Sequence, residues 1–284
     1  MENKLVFSNA GCTFKNFNNK TNTLVIKDEN DKTFHLVFDN YFPDKMVIEI
    51  VNSNVTIIEQ YQGNIKDVDV SIVIDKKSSL NRFSIIDDIK TKININRFVD
   101  NHNYYKSMQI DLANSSVSSK EDINLVGKNA NSLVIDGIYA IGHSIKTYQT
   151  NLNHIAKDTT SKAQIFGIND DKAKISIYTD GYIKNKAVGT KIDQEGRIIN
   201  LSDSCVGIVL PNLHIDENDV QASHSCSVGS VNKDHLYYLQ TRGLDEIQAR
   251  NILIKGYFNP LLENVDDKNI KEKLDMIIDQ RIGW

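Results

Sequence analysis

Cysteine and proline are both scarce in this 284-residue chain, which has only Cys12, Cys205 and Cys226, and Pro43, Pro211 and Pro260. Three cysteines with no CxxC spacing argue against a disulfide framework or a structural zinc site, and fit a reducing compartment. Nowhere do about 18 apolar residues stand together, and MENKLVFSNAGCTFKNFNNK at the start holds no apolar run of signal length. A cytoplasmic protein without membrane spans is expected. A basic surface is missing too: the formal net charge is −4, which gives no footprint for nucleic acid or an anionic membrane. Catalytic signatures are also absent, with no GxxxxGKS/T phosphate loop, no GxSxG elbow and no HExxH pair. A non-enzyme is expected.

What the chain does contain is an ordinary globular composition, 40% hydrophobic and 25% charged, enough for one large domain or two. Asn and Asp punctuate it in place of proline, so the turns should be of Asx type. From about residue 22 to 221 it offers strand-length apolar or alternating runs, among them TLVIKD, FHLVFD, KMVIEIV, VSIVID, SLVIDG, AQIFG and KISIYTDG. Helical spacing is nearly absent there, which excludes βαβ units. A sandwich, a barrel and a β-solenoid remain open on this pattern.

After Gly229 the character changes. Leu236, Tyr237 and Leu239 form a helical stripe, with Gly243 placed as a C-terminal stop. A second helix should begin at an Asp245 N-cap, with Ile247, Ile254, Tyr257 and Phe258 on one face, and be bent or restarted at Pro260. A third should span about 267–282. The expected organisation is an N-terminal segment 1–21, a β domain 22–229 and a helical domain 230–284.

Residues 211–262, PNLHIDENDVQASHSCSVGSVNKDHLYYLQTRGLDEIQARNILIKGYFNPLL, resemble the C-terminal core of the SufB/SufD family of iron–sulfur cluster assembly proteins. The matching positions include Pro211, Leu213, Ile215, Asp219, Val220, Ser223, His224, Leu236, Tyr237, Tyr238, Arg242, Gly243, Gly256 and Tyr257. A weaker likeness runs upstream through Thr150, His154, Ala156, Thr159 and Ser161, and then Lys172, Ala173, Gly181 and Ile183. The resemblance implies a right-handed parallel β-helix followed by a small helical domain. It also implies pairing of SufB with SufD through their β-helices, and docking of a SufC ATPase on the helices. Ser225 stands after His224 where SufB members carry Glu, and Gly196 stands where they carry a reactive cysteine. The chain therefore resembles the SufD branch, with a SufB-like or self-pairing homodimer as the alternative.

His224 and Cys226 are two apart, so on a strand they share a side and together offer an imidazole and a thiol to iron or zinc. A packed His beside a buried Cys has the same spacing. The resemblance puts His224 at the SufB interface where a nascent cluster forms; it gives Cys226 no role, which leaves that residue the weaker candidate. No tightly bound cofactor is expected, only iron or an iron–sulfur cluster in transit. Tyr237, Arg242, Tyr257 and Phe258 are the candidates for SufC docking, since aromatics and Arg are enriched at interface anchors. Cys205 is expected to be a small buried side chain, and Cys12 has no expected role. A rival reading, a polysaccharide-active β-helix enzyme, would use Asp136 and Asp180 as acid and base. The Asp136-Gly137 and Asp180-Gly181 pairs instead suggest strand-end turns.

Overall fold

A computed structural model describes residues 12–18, 21–39, 45–231, 233–265 and 268–282. The first strands are β1 (Cys12–Asn18), β2 (Thr21–Lys27), β3 (Asn30–Phe38), β4 (Lys45–Val51), β5 (Asn54–Gly63) and β6 (Asp67–Ile74). Then follow β7 (Ser79–Ile89), β8 (Ile93–Asn101), β9 (Tyr104–Asp111), β10 (Val117–Leu125), β11 (Asn131–Ala140) and β12 (Ile145–His154). The β body ends with β13 (Thr160–Asn169), β14 (Lys174–Ile183), β15 (Thr190–Asn200), β16 (Val206–Ile215) and β17 (Val220–Ser230). Helices α1 (Lys233–Thr241), α2 (Glu246–Glu263) and α3 (Lys268–Ile282) complete the chain. Residues 1–11, 19 and 20 of the expected N-terminal segment lie outside the described residues; of the rest, residues 12–18 form β1 and Thr21 opens β2.

β1 and the even-numbered strands stack in one sheet, in the order β1-β2-β4-β6-β8-β10-β12-β14-β16, and odd-numbered strands from β3 to β17 stack in the other. Apart from the antiparallel β1 and β2 pair, neighbours are parallel. From β2 onward successive strands thus alternate between two sheets, which makes a parallel β-helix of about eight coils. Coil length grows along the chain. Val25 pairs with Glu49, a repeat of 24 residues, whereas Ile175 pairs with Gly207, a repeat of 32. That drift explains why the sequence shows no strict repeat.

Alternation builds the interior. In β10 the burial alternates residue by residue, with Val117, Ile123 and Leu125 turned inward onto the core. Each such aliphatic side chain contributes about 1.5–3 kcal/mol on burial. Turns fall on Asn52, Asn129, Asp158 and Asp171, all with positive φ, a conformation that Asn and Asp tolerate better than other side chains.

A second core lies outside the β-helix. Phe83, Ile85, Met108, Ile110, Ile135 and Ile168 point outward from the odd sheet, and Ile254, Phe258, Leu261, Leu274 and Ile278 of the helices cover them. Gly137 permits this: a Cβ there would lie 2.8 Å from Phe258 Cε1 and 2.9 Å from Leu261 Cδ1. Arg250 adds a 2.8 Å ion pair to Asp170 in the turn after β13. Asp245 caps α2 in a capping box with Gln248, and Gly243 ends the previous segment at φ +94°, as the sequence suggests.

Three expectations need correction. α2 continues through position 260 as one helix. Ile247 and Tyr257 are exposed, so the buried face of α2 is made by Ala249, Ile254, Phe258, Leu261 and Leu262 instead. Asp136-Gly137 and Asp180-Gly181 lie inside β11 and β14, not in turns, because α2 crosses one glycine and the facing sheet crowds the other.

Candidate functional site

The solenoid ends on an open coil. β16 pairs only with β14, and β17 only with β15, so each presents a long unpaired edge among the described residues. Pro211 is tolerated in β16 because an edge strand can spare a donor. Leu210 is 50% exposed and Val228 45%, and Val206 and Ile215 are exposed with them. A long edge with apolar side chains is a template for pairing with another chain.

His224 and Cys226 lie on this last coil. Their register partners in β15 are Gln194 and Gly196, and directly paired residues of a parallel sheet share a face. Ile192 and Ile198, flanking that pair, belong to the core. Both candidates therefore share a side of β17, as their spacing predicts, and that side faces the core; both are exposed, since among the described residues no further coil covers them. Gly196 stands directly beside Cys226 in register. Among the described residues, no three His, Cys, Asp or Glu side chains converge as a metal site.

The helices present a different surface. Tyr237 is 70% exposed, Tyr238 is exposed, and the Arg242 guanidinium lies 5.1 Å over the Tyr238 ring. Tyr257 is on the surface, but Phe258 is 1% exposed and held in the second core. That removes Phe258 from any docking set.

Other singled-out residues have structural work. Cys205 is buried, its thiol 2.8 Å from Ser202 O and 3.3 Å from Asn169 O. The His154 ring is buried between Thr159 Oγ1 and Ser161 Oγ, each at 2.7 Å, which accounts for three residues of the upstream likeness. The side chain of Cys12 lies outside the description. Asp136 faces the solenoid interior, whereas Asp180 faces outward from the other sheet, bonded to Asn212. The two carboxylates share no cleft, which removes the acid–base pair of the polysaccharide reading.

Sequence reasoning missed a buried charge cluster. Arg82 bridges Glu59 at 2.9 Å and Glu121 at 3.2 Å, and Arg97 reaches Glu59 at 3.1 Å. Tyr105 donates to Glu121 at 2.6 Å, and Tyr61 to Glu59 at 3.0 Å. Burial works to raise the Glu59 carboxyl, but Arg82 and Arg97, aided by Ser84 and Tyr61, outweigh it and hold it at about 2. Balanced charge and complete enclosure make this an interior brace. No sequence signal marks it, since which strand residues face inward depends on register.

A family model described as "SUF system FeS cluster assembly, SufBD core domain" matches residues 37–257. The chain is 24% identical over 254 residues to the iron–sulfur cluster assembly protein SufD of Bacillus subtilis, covering 85% of this chain and 57% of that one. SufD of Plasmodium berghei is 24% identical over 167 residues, 58% of this chain and 12% of its own length. An iron–sulfur cluster assembly SufBD family protein of Mycobacterium bovis is 29% identical over 104 residues, 36% of this chain and 26% of its own. The chain thus spans little more than half of the Bacillus relative and less of the other two.

Proposed function

Since the chain belongs to the SufBD core family of the SUF iron–sulfur cluster assembly system, we propose that it is a SufD-like scaffold that pairs with SufB and carries the SufC ATPase. The open coil carries this reading. Two exposed strand edges and an apolar rim supply a pairing surface on β16 and β17. Pairing there would enclose His224 and Cys226 between two chains, where SufB could supply further donors to iron or a nascent cluster. Imidazole and thiolate are both iron ligands, and the iron is cargo, not a resident cofactor. SufC would dock on the exposed aromatics Tyr237 and Tyr257 with Arg242, away from the helix face that packs on the β-helix. The chain itself turns over no substrate in this scheme, and the assembly works in the cytoplasm.

No helix among the described residues is long and apolar enough to cross a membrane. A second copy of the chain presents the same edges, so a homodimer is the competing assembly. Reconstitution with SufB and SufC tests the scheme: cluster formation should require this chain, and His224→Ala should keep the complex while lowering cluster yield or iron content several-fold. Undiminished yield with His224→Ala would remove the residue from the site.

A further inference from the structure

Gln194 is fully buried, yet neither its Nε2 nor its Oε1 has a hydrogen-bond partner. A buried carboxamide left unsatisfied costs free energy that an apolar side chain of the same volume would avoid, so its presence calls for a ligand to the amide. Its position identifies one. In β13 its register partner is Ala163, which has no polar side-chain atom. In β17 its register partner is His224, on the same face and one strand spacing away, about 4.8 Å in a sheet. From the facing sheet Gly181 leaves room for the amide: a Cβ there would lie 3.0 Å from Gln194 Nε2.

Resting on the reading of His224 as an iron-site residue, we propose that Gln194 is its positioning residue. The Gln194 Oε1 accepts the N–H of one His224 ring nitrogen, and the other nitrogen's lone pair then faces the open end of the coil for iron. Histidines that ligate metals commonly donate their second ring N–H to a carbonyl or carboxylate, which fixes the tautomer and the ring orientation. The bond is unmade in this structure, where His224 is exposed; rotation of the His224 side chain toward β15 closes it. Cys226 has no such support, because its register partner is Gly196.

The test uses the chain assembled with SufB and SufC, Co(II) alone as an optical probe, and imidazole ¹⁵N shifts assigned through His224→Ala. Gln194→Met, close to isosteric, removes the acceptor, and Gln194→Glu keeps one. Gln194→Met is expected to fold with unchanged or higher thermal stability, weaken the His224-dependent Co(II) site by about tenfold or more, and leave His224 in mixed tautomers. Gln194→Glu should restore the affinity and the single tautomer. Retention of both in Gln194→Met, while His224→Ala loses the Co(II) site, overturns the role of Gln194 and leaves His224 standing. Co(II) binding unchanged in His224→Ala would be the failure of the His224 reading, and the Gln194 inference would fall with it. If Gln194→Met fails to fold, loss of the single tautomer in Gln194→Glu also overturns the proposal.

Discussion

Asp136 stands on the inner face of the odd sheet between Gln109 and Ile165 in register. Burial, with the Glu121 charge added, raises its carboxyl from the ordinary 3.8 to about 7. Its Oδ1 and Gln109 Oε1 are both buried acceptors without a partner, and a proton on Asp136 supplies the donor they lack. His154 is the opposite case, its imidazole lowered by burial from 6.5 to about 4. The Asp136 contribution is whole below pH 3.8 and is lost as pH rises to about 7. That of His154 is whole above 6.5 and is lost as pH falls to about 4. Asp136→Asn should therefore stabilise the protein at pH 8 by an amount on the order of a few kcal/mol. The gain should vanish near pH 4, leaving a steeper acid loss than in the parent; urea unfolding at several pH values checks both. At this scale the shared side of His224 and Cys226 was legible, because a strand's period of two is fixed by the backbone. The roles of Asp136 and Gln194 were not, since they depend on which neighbour register brings alongside.

Strands and helices were the most readable elements. Alternating runs such as KISIYTDG fall inside β14, and the Asp245 and Gly243 signals mark the helix boundaries. What could not be read was where the helices go. Their docking on the outside of the odd sheet depends on outward apolar residues in β7 to β13, which in a linear sequence merge with the inward ones into runs buried on both faces. Gly137→Val should cost about 1–3 kcal/mol by overpacking against Phe258 and Leu261, and should expose α2 to proteolysis. Gly256, also in α2, has open space around a would-be Cβ, so Gly256→Ala should gain up to about 1 kcal/mol. Chemical denaturation of both variants separates helix propensity from docking.

For the molecule as a whole, one end of the solenoid is finished by nothing in the described chain. A parallel sheet normally has its faces covered and its edges blunted, yet β16 and β17 keep free edges beside exposed Leu210 and Val228. This feature is what the proposed scaffold role needs, in which the β-helix is one half of a larger assembly. Fold class was open from the strand pattern alone, because a sandwich and a solenoid share it; the family likeness of residues 211–262 closed that gap. The most direct test is native mass spectrometry of the chain co-expressed with SufB and SufC, with and without the pair Leu210→Asp and Val228→Lys. The parent should appear in one assembly with both partners, and the doubly substituted chain, with an unchanged circular dichroism spectrum, should retain SufC and lose SufB. Persistent SufB pairing in the substituted chain, or no complex with the parent, would contradict the account.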